Sequence, residues 1–284
     1  MKINRDTNIL IIGLGLIGGS YAKALKKEGF KVSAIDNNND SIEYGLKNHI
    51  IDYGFTEVQE KVIRGADLII FTLYPKVFLN WIKEYGHYIN KNTVLTDVTG
   101  VKDGIVQEIQ NLLPDGVEFI SAHPMAGKEL SGVQNSSDEI FKNANYIVVP
   151  TERNTEENIL MCEELGRILG FSKISRLNIK EHDKMIGFLS QLTHCIAISL
   201  MTCNDSENLV KYTGDSFRDL TRIAKINENM WTELFLLNKD VLIEQMEIFI
   251  KEFCDFRSLL LNNDEQQIKE KMKLSTERRK YFDK

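Results

Sequence analysis

Four short segments of this chain carry side chains able to move protons or grip carboxylates. The first is His123-Pro124-Met125-Ala126-Gly127-Lys128-Glu129. An imidazole titrates near neutrality, which suits a base that takes a hydroxyl proton. The proline and glycine that follow put His123 in a constrained loop behind an apolar run. The second is Asp97-Val98-Thr99-Gly100-Val101-Lys102, where Thr99 and Lys102 are polar groups behind another apolar run; Asp97 or Thr99 would serve equally as a helix cap. The third and fourth are Gln191-Leu192-Thr193-His194 and Phe217-Arg218-Asp219-Leu220-Thr221-Arg222-Ile223-Ala224, the latter followed by Met230-Trp231. At helical spacing Arg218 and Arg222 share a face, and Asp219 can pair with Arg222. An arginine there can hold a carboxylate through two parallel hydrogen bonds, although a solvated charged face reads the same way.

A fifth motif points to a cofactor. Gly13-Leu14-Gly15-Leu16-Ile17-Gly18 fits G-x-G-x-x-G, directly behind the apolar run Ile9–Ile12 and at the start of a helical pattern. Gly13 permits a tight turn, Gly15 lets a pyrophosphate approach the backbone, and Gly18 lets helix and strand pack closely. The N–H groups of the first helical turn, Leu16 and Ile17, are then offered to the phosphates. Asp36 ends the next apolar run, near the ~20-residue distance at which an acidic residue meets the ribose hydroxyls. Its charge would repel a 2′-phosphate, so NAD is expected rather than NADP. The glycines alone would also fit a plain strand-to-helix turn.

The elements that must position these groups follow from periodicity. Apolar, β-branched runs recur at Ile9–Ile12, Lys31–Ile35, Ala66–Leu73, Thr93–Thr96, Glu118–Ser121 and Tyr146–Val149. Helical patterns lie between most of them, at Gly15–Glu28, Ser41–Leu46, Val77–Ile89 and Lys102–Leu112. The runs show little polar alternation, as strands covered on both faces do. The alternation predicts an α/β Rossmann domain with a mostly parallel, doubly wound sheet. Asp40 and Glu43 have the spacing of a capping box for the second helix. After Pro150 the pattern turns helical, with Lys173–Leu177 as a last short strand candidate. From Trp231 to Leu260 apolar residues recur at three- and four-residue steps, which predicts one helix of about eight turns. Its stripe needs cover, from its own domain or from a second subunit. The expected division is residues 1–170 and an all-helical 171–284.

Composition narrows the class. The 284 residues carry a net charge of −6 and are 43% hydrophobic, which fits an acidic globular protein of about two domains and argues against nucleic acid as the partner. Cys162, Cys195, Cys203 and Cys254 are too sparse for a disulfide scaffold, so reduced thiols in a cytoplasmic protein are expected. No metal site is expected. No run of about 18 apolar residues is evident, so no membrane span is expected. Lys2, Arg5 and the uncharged stretch behind them imitate a signal peptide, but the glycine spacing has the other meaning given above.

Together, Gly13–Ser20, Asp97–Lys102, His123–Glu129 with Ser131-Gly132, Gln191–His194, and Phe217–Ala224 with Met230-Trp231 resemble the prephenate dehydrogenases, in order and over nearly the whole chain. The resemblance implies an NAD domain, a helical domain that forms a homodimer, and oxidative decarboxylation of prephenate in tyrosine biosynthesis. It implies His123 as the base and Arg222 on a substrate carboxylate, with His194 lining the site, Asp219 orienting Arg222, and Trp231 and Glu129 near the pocket. Many relatives carry Gly-Ser where this chain has Thr99-Gly100, which transfers the serine's role to Thr99 as an expectation. The helical part consumes the chain to Lys284, so neither an ACT domain nor a chorismate mutase fusion is expected. Arogenate dehydrogenase, which would act on the amino counterpart of the same substrate, stays open. So does another hydroxyacid dehydrogenase with a helical dimerisation domain.

Overall fold

The structure is a computed structural model and describes residues 2–128 and 130–283. The first half alternates β1 (Ile9–Ile12), α1 (Leu16–Lys27), β2 (Val32–Ile35), α2 (Asn39–Lys47), β3 (Tyr53–Phe55), α3 (Glu60–Arg64), β4 (Leu68–Phe71), α4 (Pro75–Tyr85), β5 (Val94–Asp97), α5 (Ile105–Leu112), β6 (Glu118–Pro124), β7 (Asn145–Val149), α6 (Glu156–Ile168) and β8 (Lys173–Arg176). They form one eight-stranded sheet in the order β3-β2-β1-β4-β5-β6-β7-β8. Every neighbouring pair is parallel except β6 with β7. All four residues of β1 and of β4 are buried, as continuous apolar runs in a two-sided sheet require. One core lies under α1 and α6, around Tyr21, Leu25, Phe141 and Leu165. The other lies under α4 and α5, where Phe78 stacks on Phe71 at 4.3 Å between ring centroids.

Three expectations shift. The first cap of α2 is Asn38, whose side chain accepts from the Asp40 and Ser41 N–H groups, so Asp40 falls in the first turn and does not form the capping box. β8 pairs with β7 in parallel register, so the sheet runs past residue 170, where the division was expected. The extended stretch β3 was not foreseen; Tyr53–Phe55 is too short, and its glycine too weak a strand former, to register as an apolar run.

The helical unit follows with α7 (Ile179–Ile186), a π-helical stretch Gly187–Leu192, α8 (Thr193–Thr202), α9 (Asp215–Thr221), α10 (Glu228–Leu237), α11 (Lys239–Leu261) and α12 (Glu265–Arg279). The single long helix expected from Trp231 is broken at Asn238. The Asn238 amide is buried and donates to the Asp183 carbonyl at 3.0 Å and to Gln191 Oε1 at 2.7 Å, which draws the chain out of helical phase there. The continuous helix Ile179–Thr202 is long and apolar enough by length and composition to cross a membrane, against the expectation that no such run exists. Its polar side chains His182, Asp183 and Gln191 are buried and hydrogen-bonded inside the protein. Met185, Phe188, Leu189 and Met201 on it, and Ile250, Phe253 and Leu260 on α11, remain exposed.

Candidate active site

The glycine turn has the geometry its spacing calls for. Gly13 has φ +95°, a left-handed backbone that other residues adopt only with strain. A Cβ on Gly18 would lie 2.0 Å from the Gly13 carbonyl oxygen, so only glycine lets α1 start this close to β1. A Cβ on Gly15 would meet nothing within 4 Å. Gly15 is the N-cap of α1 and has no side chain to cap it, so the N–H groups of Leu16 and Ile17 begin the helix without intrahelical acceptors. The open face at Gly15 and these N–H groups fit a pyrophosphate. Asp36 Oδ2 accepts from the Leu14 N–H at 2.5 Å and Oδ1 from the Asn38 N–H at 2.8 Å. Each carboxylate oxygen keeps a lone pair for a ribose hydroxyl.

Beyond the sheet's carboxyl edge lies a buried polar cluster. Asp97 ends β5, is fully buried, and accepts from Ser121 Oγ at 2.7 Å, from the Ala122 N–H at 2.9 Å and from Lys102 Nζ at 3.1 Å. Lys102 is equally buried and also donates to the Ala122 carbonyl at 2.7 Å. Burial lowers the Lys102 pKa, with Asp97 opposing that fall. The pair therefore clamps the β6 backbone on both sides of Ala122, the residue before His123.

His123 is half-buried at the end of β6, and its Nδ1 lies 2.9 Å from His182 Nε2. His182 Nδ1 lies 2.6 Å from Asp183 Oδ1. Asp183 also accepts from the Lys102 N–H at 3.0 Å and from the Asp103 N–H at 2.7 Å. His182 is placed by the start of α7, where Asn178 and Glu181 form a reciprocal capping box. Loss of hydration drives the His123 pKa well below the ordinary histidine value, and His182 and Lys102 add to the fall. Burial lowers that of His182 as well, with the bond to Asp183 opposing.

The remaining site residues divide. His194 stacks on Trp231 with 3.7 Å between ring centroids, and its Nδ1–H donates to the Ser190 carbonyl at 2.8 Å. α10 is brought to His123 through Gly100: a Cβ there would lie 3.5 Å from Leu234 and 3.9 Å from His123 Cε1. Thr99 does not take the place of the missing serine. Its hydroxyl donates to Asp97, receives the Lys102 ammonium at 3.2 Å, and is buried in that cluster. Gly100, not Thr99, is the residue beside the imidazole. Arg222 is exposed, and no ion pair joins it to Asp219 among the described residues. α9 ends at Thr221 and Arg222 opens a 3-10 turn. Arg218 pairs with Asp215 at 2.5 Å instead. Glu129 lies outside the described residues.

His182, Asp183 and Asn238 carry the site's inner hydrogen bonds together with Gln191, and of these only Gln191 belongs to a segment that type and spacing had singled out. The available signal was a His-Asp pair one turn into a well-capped helix, in a chain with only five histidines.

A Rossmann sheet with an open glycine turn, a carboxylate at the end of β2 and an imidazole at the end of β6 defines a nicotinamide-dependent oxidoreductase. The family model for the prephenate dehydrogenase nucleotide-binding domain matches residues 21–169, and that for the prephenate dehydrogenase dimerization domain matches 178–274. The chain is 31% identical to prephenate dehydrogenase of Bacillus subtilis over 94% of its own length and 74% of the relative's. It is 35% identical to that of Lactococcus lactis over 92% and 73%. The crystal structure of prephenate dehydrogenase from A. aeolicus with hydroxyphenyl propionate and NAD+ superposes with a TM-score of 0.89 at 29% identity, covering 98% of each chain. The chain belongs to the prephenate dehydrogenase family.

Proposed function

We propose that the chain converts prephenate to 4-hydroxyphenylpyruvate and CO2 with reduction of NAD, and that His123 is the base. The observation that carries this reading is the imidazole itself. It stands at the carboxyl end of β6, where open α/β sheets bind their ligands. Its Nδ1 is engaged by His182, and its Nε2 meets no protein partner among the described residues.

Prephenate has a ring hydroxyl, a ring carboxylate and a pyruvyl carboxylate. Bound NAD supplies the acceptor for the hydride of the carbinol carbon. His123 Nε2 takes the hydroxyl proton as that hydride leaves, and loss of CO2 makes the ring aromatic. The Asp97–Lys102 clamp holds the Ala122–His123 backbone before substrate arrives, so little ordering remains to be done at that end. We assign a substrate carboxylate to Arg222, one wall of the pocket to His194 and Trp231, and the ribose hydroxyls to Asp36.

We assign the cover of the exposed apolar faces of α7, α8 and α11 to a second copy of the chain. Exposed large apolar side chains recur along these helices, and the matched family model is that of a dimerization domain. The four unpaired thiols fit the cytoplasm. The test is NADH formation with prephenate and with arogenate, each with NAD and with NADP. Prephenate with NAD is expected to give the highest kcat/KM; absence of NADH with prephenate overturns the reading.

A further inference from the structure

The base is the outer member of a buried chain, His123–His182–Asp183, and the hydrogen-bond directions along it are forced from the inside. Asp183 accepts from the Lys102 N–H at 3.0 Å, the Asp103 N–H at 2.7 Å and His182 Nδ1 at 2.6 Å. A carboxylate ringed by backbone donors remains an acceptor, so the hydrogen in the third bond belongs to His182 Nδ1. His182 Nε2 then bears a lone pair, and the 2.9 Å contact to His123 requires that His123 Nδ1 carry the hydrogen. His123 Nε2 is left as the basic nitrogen.

We propose that His182 and Asp183 fix this tautomer of His123 and accept its proton during turnover. The inference rests on the base assignment above. As the substrate O–H bond breaks, an N–H bond forms at His123 Nε2. The N–H bond at His123 Nδ1 then breaks while one forms at His182 Nε2. His123 ends neutral in the opposite tautomer, and the positive charge sits on His182 against the Asp183 carboxylate. After product leaves, His182 Nε2 returns its proton to His123 Nδ1 and His123 Nε2 releases the substrate's proton to water, which restores the pair. The electrostatics favour that resting place, because Asp183 offsets the burial of His182, whereas His123 has no such carboxylate and its basicity falls further. The charged groups facing the pair are Asp97 and Lys102 from the β5 end and Asp183 on α7; the α10–α11 break presents the neutral Asn238. His182 and Asp183 are positioning residues, since both act through His123.

Two variants separate this role from a merely structural one. In Asp183→Asn the side-chain oxygen can still receive the Lys102 and Asp103 N–H groups, while its NH2 donates to His182 Nδ1. That reverses each bond and places the hydrogen of His123 on Nε2. Turnover is expected to fall by ~10²–10⁴-fold, the range of a lost general base, with KM nearly unchanged. In His182→Gln the amide oxygen still accepts from His123 Nδ1, so the tautomer survives but the onward transfer does not. A smaller loss of about tenfold in kcat is expected, with the acidic limb of the kcat/KM profile moved to lower pH. Long-range 15N spectra of the full chain with NAD bound read the tautomer without turnover, and five histidines are few enough to assign. Wild-type spectra with the His123 hydrogen on Nε2 would overturn the proposal. So would His182→Gln with wild-type kcat and pH profile, which decides the matter even if Asp183→Asn does not fold. Failure of the wild-type chain to oxidise prephenate would instead strike the base assignment, since the spectra report the hydrogen positions regardless.

Discussion

The glycine turn separates packing from binding at two neighbouring positions. A methyl group at Gly18 would sit 2.0 Å from the Gly13 carbonyl oxygen and 2.6 Å from Thr72 Oγ1. Those two atoms already share a hydrogen bond at 2.5 Å, so neither can turn aside without breaking it. Non-bonded heavy atoms settle near ~3.5 Å, so α1 and the turn would have to part by about an ångström or more. Overpacking of this kind costs ~1–3 kcal/mol, and a backbone carbonyl as the obstacle puts Gly18→Ala near ~3 kcal/mol. At ~2–4 °C per kcal/mol for a chain of this size, Tm should fall by ~6–12 °C. Gly15→Ala meets nothing within 4 Å and has an ordinary φ of −84°, so its stability without cofactor should stay within ~1 kcal/mol of wild type. Its methyl group instead occupies the approach of the pyrophosphate. Losing one charge-assisted hydrogen bond costs ~1.5–3 kcal/mol, or ~10- to 100-fold in the Kd for NAD. Differential scanning fluorimetry without cofactor and a fluorescence titration of NADH read the two effects separately. Gly18→Ala with an unchanged Tm, or Gly15→Ala with an unchanged Kd, would refute the reasoning for that position.

Other substitutions and pH test the rest of the site. His123→Asn should lower kcat by ~10²–10⁴-fold with the fold intact, and near-normal turnover would remove His123 as the base. Arg222→Ala should raise KM for prephenate by the ~1.5–3 kcal/mol of a charged hydrogen bond; steady-state kinetics with unchanged KM and kcat would exclude it from the carboxylate. Thr99→Val strips a hydroxyl from the Asp97–Lys102 cluster and should cost ~1–3 kcal/mol of stability while leaving kcat within a few-fold; a kcat loss at unchanged Tm would return Thr99 to the chemistry. Because the folded pKa values of His123 and His182 lie below that of the unfolded chain, the unfolded state binds protons first as pH falls. Their contribution to stability is therefore complete above about pH 6.5 and lost progressively below it. Tm measured from pH 7.5 to 5.5 should drop, and drop less in His123→Asn; an equal slope in both would count against a neutral buried His123.

The Rossmann half was legible because its signals are local. An apolar four-residue run, a glycine turn and an acidic strand end each declare themselves within a short window, and β1, α1 and β2 stand within a residue or so of where they were read. The helical half was legible in kind but not in phase. Apolar spacing extends evenly through Asn238, and only a contact from Gln191 and Asp183 breaks the helix there. The same limit governs the site. His123 could be found because a strand end and a proline mark it, but its partner His182 lies on α7, behind β7, α6 and β8 in the chain. The surroundings of Thr99 were hidden for a related reason: the resemblance offered it the serine's role, while its hydroxyl lies in the Asp97–Lys102 cluster. That placement depends on Asp97 and Lys102, already facing each other across the turn.

That buried pair also explains why the site is built on charge at all. A buried ion pair contributes little net stability, since desolvation cancels most of the attraction. Apolar residues at Asp97 and Lys102 would cover the same volume, yet they could not hold the Ala122 N–H and carbonyl together. Nor would a nonpolar turn present the Lys102 and Asp103 N–H groups to Asp183 as a matter of course. The sheet and α7 are thus joined by directional bonds at the one place where an imidazole must keep its orientation. Packing alone would tolerate rotation of that ring, whereas hydrogen bonds to β5, β6 and α7 tie the strand end that carries it and one of its two nitrogens. The absence of a side chain at Gly100 then lets Leu234 of α10 approach the same strand end, since a Cβ there would lie 3.5 Å from Leu234 and 3.9 Å from His123 Cε1.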